Sequence, residues 1–378
     1  MVIAALMLLC AGVLGSGHRP STPPAPAPSV PVSTLPAPAP PATRAASAQL
    51  AGQAPDFTIK VIAPSDTFTL SEYESRPVLL FFFDAGDMRS ANAIPYVTEW
   101  FRRYASDSLV VMGIHQPEYP PMTDVGTVIQ TISREYALFP VAMDSLRSVY
   151  AAYGVQGLPA YVLLKPGRKI VLETWAPRPY RDVETEIQKI LTEIKPGIIN
   201  PFLVKPLRPV DDPARRVLAA TPQILLGCGF DTISGFNDSG CDSFCNYKDL
   251  GEKIRELVYL QGYWKVTPNS VIHTTKMGSS GDRLRVIYSG TEVWLLPSFA
   301  YGAPVRVYVM QDRAYIDKSI WGRDIYMDEI GNPFILMKYS VPLQVIKNRT
   351  FGSHELELMP AEGDVAFYYI FFEDGVLE

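Results

Sequence analysis

Residues 78–100 read VLLFFFDAGDMRSANAIPYVTEW. The six apolar residues Val78 to Phe83 follow one another without polar alternation, which a β-strand tolerates only when both of its faces are covered. After Asp84-Ala85-Gly86, residues Ile94, Val97, Phe101 and Tyr104 recur at helical spacing, so a helix follows the strand. Leu109 to Ile114 repeats the buried-strand pattern. Asp144 is placed to cap a helix that stops at Gly154. Ala160 to Leu164 and Lys169 to Thr174 flank the turn Lys165-Pro166-Gly167-Arg168, and Val183, Ile187, Leu191 and Ile194 give a last helix one apolar face. Alternating strands and helices that end in a hairpin predict a three-layer α/β sandwich around a mixed sheet.

The chain has 378 residues, enough for two folded units, with 47% hydrophobic and 19% charged residues. Its net charge of −5 argues against non-specific nucleic-acid binding, which needs a basic surface to displace counterions. Four scattered histidines and four cysteines leave little to build a metal site, and neither a metal nor a cofactor is expected. After Val217 the pattern changes to short alternating runs: 263–267, 271–275, 284–288, 293–296, 305–309, 334–341, 354–358 and 365–372. Many short strands at close spacing predict an all-β sandwich.

Outside these units lie two segments of different character. Val2 to Leu14 is an uncharged apolar run, too short to span a bilayer, and reads as the core of an export signal. Gly15-Ser16-Gly17 offers a cleavage site, while Cys10 is a lipidation candidate. From Arg19 to Pro55 the chain holds eleven prolines and ten alanines, with only Arg19 and Arg44 charged. Such a segment buries too little apolar surface to offset its ordering entropy and is expected to act as a spacer.

The stretches APDF (54–57), VLLFFFDAGDMRSANAIPYVTEW and YGVQGLP (153–159) resemble thioredoxin-like domains of the TlpA/ResA kind. NAIPYVTEWFRRYASDSLVVMGIHQPEY (92–119) and YALFPVAMD (136–144) are closer to the thioredoxin-like module of DipZ-type thiol-disulfide proteins. The second half resembles the C-terminal part of the same proteins, a jelly roll similar to carbohydrate-binding modules. TPQILLG (221–227), GYWKV (262–266), APVRVYVMQD (303–312), GRDIYMDEIGN (322–332) and SHELELMPAEGDVAFYYIFF (353–372) carry that resemblance. The fold class implied is an α/β thioredoxin-like domain followed by an all-β jelly-roll sandwich. The expected partition is a leader or lipoprotein signal over 1–17, a linker over 18–55, the thioredoxin-like domain over 56–196, a Pro-containing connection over 197–216, and the β-sandwich over 217–378.

In the resembling family a Cys-x-x-Cys opens the helix after the central strand, and a cis-proline loop faces it. By position Asp87-Met88-Arg89-Ser90 replaces the cysteines, and Leu158-Pro159 matches the loop. Thiol–disulfide exchange needs one thiolate to attack and a second thiol to resolve. Asp87 and Ser90 supply neither, and no cysteine occurs from Ala11 to Gly227. Asp87 is expected simply to cap the helix; the functional alternative keeps the groove beside Leu158 and Pro159 as a peptide-binding edge without catalysis. His115, which ends a buried strand, is expected to be structural.

Cys228, Cys241 and Cys245 imply one disulfide and one leftover thiol, with Cys228 pairing to either of the other two. In the β-sandwich, Val293, Leu295, Val305, Val307 and Val309 are expected to face inward, and Glu292, Trp294, Arg306 and Tyr308 outward. With a hairpin over 298–304, Trp294 would stand across from Arg306 and Glu292 from Tyr308. These are either pairs that stabilise the sheet or are covered by a loop or the first domain, or an exposed sugar platform. These residues predict an exported, envelope-associated thioredoxin-like protein without redox cysteines, acting as a binding or scaffold protein. Two alternatives are a thiol-disulfide oxidoreductase working through Cys241 and Cys245, and a peptide-binding chaperone in envelope or cytochrome maturation. The expected partner is an envelope protein or glycan, with membrane contact only through an N-terminal lipid anchor.

Overall fold

The computed structural model describes residues 52–175, 177–234, 242–249, 251, 254–274, 281–299, 304–361 and 363–377. The leader, Cys10, nearly all of the Pro/Ala-rich linker and Cys241 lie outside these residues. The first half is built from β1 (Thr58–Ala63), β2 (Ser65–Thr69), β3 (Val78–Phe83), α1 (Met88–Tyr104), β4 (Val110–His115) and α2 (Val125–Arg134). It continues with β5 (Val141–Met143), α3 (Ser148–Ala152), β6 (Ala160–Lys165), β7 (Lys169–Thr174) and α4 (Tyr180–Ile194). The strands form one mixed sheet in the order β2-β1-β5-β4-β3-β6-β7.

Every residue of β3 is buried, because β4 and β6 flank it and both faces are covered. Leu79, Phe81 and Phe83 pack in a core with Ile94, Val97 and Trp100 of α1 and with Val183, Ile187 and Leu191 of α4. Val78, Leu80 and Phe82 face a second core that includes Phe68, Val149 and Tyr153. The three layers expected from the apolar spacing are present. Asp144 does not occupy the N-cap of α3, which is Arg147, but from three residues upstream it accepts from the N–H groups of Ser148 and Tyr150 at 2.9 and 2.8 Å.

The second half contains β8 (Val217–Leu218), β9 (Ile224–Leu225), β10 (Phe244–Tyr247), β11 (Val258–Val266), β12 (Val271–His273), β13 (Arg283–Phe299) and β14 (Val305–Gln311). After it come β15 (Ala314–Tyr315), β16 (Ile325–Met327), β17 (Pro333–Met337), β18 (Leu343–Pro360), β19 (Val365–Glu373) and β20 (Gly375–Val376). Eleven of these strands join in one antiparallel sheet, with β13 between β18 and β19. The long strands β13 and β18 make this continuity possible, and their ladder shifts register near Gly290. Val293, Leu295, Val305, Val307 and Val309 all point into the enclosed core, as their alternation predicts.

Two stretches break the alternation. Val293 to Leu296 of β13 are all buried, and so are both Tyr369 and Ile370 of β19. The reason is a second apolar face. Trp294 stands opposite Phe371 and Leu296 opposite Tyr369 across the β13–β19 ladder. Trp294, Leu296 and Tyr369 belong to the core of α1 and α4, so the β half is docked on the first half.

The connection between the halves is strapped down. The Val204 N–H donates to Glu184 Oε2 at 2.7 Å, and the Leu207 N–H donates to the Tyr96 hydroxyl at 2.7 Å. Among the described residues no helix is long and apolar enough to cross a membrane.

Candidate functional site

Strand β3 delivers Asp84 to the end of the sheet, and the turn Ala85-Gly86 leads into α1. Asp87 is the N-cap of that helix, its Oδ2 accepting from both the N–H and the hydroxyl of Ser90 at 3.0 Å. Its Oδ1 accepts from Arg89 Nε at 3.0 Å. An N-cap carboxylate satisfies helix N–H groups that have no partner in the helix, and it complements the positive end of the helix dipole. Asp87 and Ser90 thus form one capping unit, and neither is exposed at all (0% each).

Around this cap lie groups whose ionisation is strongly biased. Asp84 Oδ1 accepts from the Gly86 N–H at 2.8 Å and Oδ2 from the Glu118 N–H at 2.7 Å. Burial, reinforced by the charge of Glu118, holds the Asp84 carboxyl well above the usual carboxylate range. Burial, followed by the charge of Asp87, pushes Glu118 up to about 7, against the opposing pull of Arg89 and Arg147. His115 Nδ1 accepts from the Ala85 N–H at 3.2 Å, and its Nε2 lies 3.0 Å from the Met122 carbonyl oxygen. Burial pulls its pKa down to about 4, so the ring is neutral and bridges two loops. It has no nucleophile to activate.

The β half closes over this corner. The Tyr369 hydroxyl donates to the Gly86 carbonyl at 2.6 Å, and its ring packs 5.1 Å from that of Tyr119. Burial holds the Tyr369 phenol well above its ordinary range, so it remains a donor. Gln223 Nε2 donates to the Tyr119 hydroxyl at 2.8 Å. At the rim, Asn92 Nδ2 and Arg208 Nη1 both donate to Glu373 Oε2, at 2.8 and 3.0 Å. Arg208 also pairs with Asp211, which accepts from the Tyr96 hydroxyl. Arg178 pairs with Asp374, Arg134 with Asp324, and Arg323 with Glu135.

These closing residues were not identified from the sequence, although a signal was present. VWLLP in β13 and VAFYYIFF in β19 are unbroken apolar runs, the same mark of double coverage that locates β3.

Several expectations need correction. Leu158-Pro159 is a cis peptide as the resemblance implies, the Leu158 side chain is buried in the core with Tyr153 and Val149, and Pro159 is half-buried. Trp294 is not an exposed platform. It is 7% exposed, with Arg323 over its ring at 4.8 Å and its Nε1 donating to Glu292 Oε2 at 3.0 Å. Nor does β13 pair with β14. The partners of Trp294 are Gln344 and Phe371, whereas Arg306 and Tyr308 of β14 stand opposite Leu336 and Phe334 of β17. The four proposed platform residues therefore fall into two separate places.

Arg306 and Tyr308 belong instead to an aromatic row on the outer face of β14, β17 and β16. Tyr315, Tyr308, Phe334 and Tyr326 follow one another with ring centres 6.3, 6.0 and 6.0 Å apart. Arg306 lies over Phe334 at 5.6 Å, and Lys338 lies over both Tyr326 and Tyr339. Tyr315, Tyr326 and Tyr339 are exposed.

Cys228 is disulfide-bonded, with its partner outside the described residues. Cys245 is a free thiol in edge strand β10, opposite Trp264. The Cys228–Cys245 pairing is thereby ruled out, and the expected combination of a disulfide with a leftover thiol is kept. No group of His, Cys, Asp and Glu suited to a metal ion occurs among the described residues.

The raised pKa of Glu118 makes a pH-dependent prediction. Below about 4.5 the side chain is neutral in both folded and unfolded chains. As the pH rises through about 7 the unfolded carboxylate ionises first, so folding loses stability. Glu118→Gln should match the wild type in urea titrations at pH 4 and exceed it at pH 8 by about 1–3 kcal/mol. An equal difference at both pH values would contradict this electrostatic assignment.

The AhpC/TSA family matches residues 50–172. The protein DipZ of Mycobacterium bovis and that of Mycobacterium tuberculosis are each 26% identical over 189 residues, or 49% of this chain. The match covers 27% of those relatives' length. A putative thiol:disulfide interchange protein DsbE from Chlorobium tepidum is 21% identical with a TM-score of 0.34, covering 37% of this chain and 95% of its own. A putative thioredoxin from Neisseria meningitidis is 20% identical with a TM-score of 0.33, covering 36% and 88%. The first half is a thioredoxin-like domain, with residues 50–172 matching the AhpC/TSA family, the chain is similar to DipZ over 189 residues, and a large antiparallel β region follows that domain.

Proposed function

We propose that this chain is an exported, envelope-associated binding or scaffold protein whose thioredoxin-like domain performs no thiol chemistry. The observation that carries this reading is the capping unit of Asp87 and Ser90, fully buried under the Tyr369 corner. A disulfide exchange site must offer a thiolate to an incoming sulfur. Here the matching positions carry a carboxylate and a hydroxyl, both already hydrogen-bonded. The site acts as a seat for the β half. Export is supported by the apolar run over residues 2–14 and the Pro/Ala-rich spacer after it.

The aromatic row favours a glycan as the ligand of the β half. Exposed tyrosines offer flat apolar faces with hydroxyl handles, and Lys338 and Arg306 add donors beside them. Tyr326→Ala combined with Tyr339→Ala should weaken capture of envelope glycans about tenfold, with the melting temperature little changed. Capture that survives glycan digestion of the extract would point to a protein ligand instead.

The redox reading is tested by insulin reduction. The purified chain should show no rate above background. Activity that persisted when Cys228, Cys241 and Cys245 were all replaced by serine would refute the thiol argument. Activity abolished by those replacements would transfer the chemistry to Cys241 and Cys245 and overturn the scaffold reading.

A further inference from the structure

Two large apolar side chains on the connecting strap are almost wholly exposed, Ile199 at 93% and Phe202 at 97%. Strap mobility does not account for this, because its backbone is tied to the helices beneath it. Arg103 Nη1 and Gln188 Nε2 donate to the carbonyls of Phe202 and Pro201, each at 2.8 Å. Asn200 Nδ2 donates to Thr192 Oγ1 at 2.9 Å. Ile198 and Val204 pack inward on the core of α1 and α4. The strap therefore presents Ile199 and Phe202 outward on a fixed support, with Ile194 and Leu207 also exposed nearby in the chain.

The charge of this segment is one-sided. From Lys195 to Arg208 it carries Lys195, Lys205 and Arg208 and no acidic residue. Arg208 is committed to Asp211 and Glu373, and Lys195 reaches Asp107 at 2.9 Å while remaining largely exposed. Lys205 is exposed and has no charged or hydrogen-bonding partner among the described residues. Projecting apolar residues flanked by lysines complement an anionic lipid surface. The apolar groups enter the acyl boundary and the ammonium groups stay at the headgroups.

We propose that the strap over residues 195–207 is a membrane-contact loop that inserts Ile199 and Phe202 into an anionic lipid surface. A full chain so held would lie with the strap side of α1 and α4 against the bilayer. This contact is separate from any N-terminal anchor and from the glycan reading, since it uses neither the leader nor the aromatic row.

The test uses the full chain with phosphatidylglycerol-containing vesicles and with phosphatidylcholine vesicles. Because the apolar N-terminal run could bind lipid by itself, the decisive reading is local. In Phe202→Trp, the added emission should shift to the blue and be quenched by brominated lipid on anionic vesicles. Ile199→Ser combined with Phe202→Ser should reduce partitioning at least about tenfold at unchanged melting temperature, and Lys205→Glu should reduce the preference for anionic lipid. A Phe202→Trp signal that ignores vesicles overturns the proposal. Self-association abolished by the double serine variant, without a lipid signal at position 202, would assign the patch to a second copy of the chain and overturn it as well.

Discussion

The contact between the outer face of β13 and β19 and the start of α1 determines what this molecule can do. Trp294, Leu296 and Tyr369 enter the core that stabilises the thioredoxin-like sheet. Full burial of one such side chain contributes roughly 1.5–3 kcal/mol, so three together rival the net stability of about 5–15 kcal/mol typical of a folded protein. Hydrogen bonds such as Tyr369 to Gly86 add only about 1 kcal/mol each. Apolar burial therefore supplies the affinity of the two halves, while the hydrogen bonds and the Asn92–Glu373–Arg208–Asp211 network set their register.

That arrangement changes the meaning of the helix start. In a thiol enzyme the positive end of the helix stabilises a thiolate that must also meet a partner. Here the same electrostatic position holds the Asp87 carboxylate, which spends its lone pairs on Ser90 and Arg89. Nearby, Asp84 is kept toward its neutral form by burial, and His115 is neutral between two backbone partners. A closed polar cluster of this kind costs little to bury because each member is bonded. Glu118, raised to about 7, is the one partly exposed carboxyl group described at this corner, and no thiol accompanies it there.

Much of this was legible in the sequence, and the failures have identifiable causes. The buried β3 run, the helical spacing of α1 and α4, the capping role of Asp87 and the structural role of His115 all follow from local patterns. The inward set on β13 and β14 was also legible, because alternation depends only on the strand period. The pairing of β13 was not. The short segment 298–304 suggests a hairpin, but β13 is flanked by β18 and β19, and such non-local pairing leaves no mark in spacing. Trp294 was misplaced for a related reason. Outward on a β-sheet means exposed only if nothing packs there, and the first half packs on this face.

The central claim is that position 87 is sealed by the β half in the native chain. Its most direct test is the labelling rate of a thiol placed there. Asp87→Cys in a Cys245→Ser background, treated with a soluble aromatic disulfide and mapped by peptide mass spectrometry, should be labelled at position 87 only as fast as the chain unfolds. Labelling at the rate of an unprotected thiol under native conditions would show that the corner is open and would contradict the account.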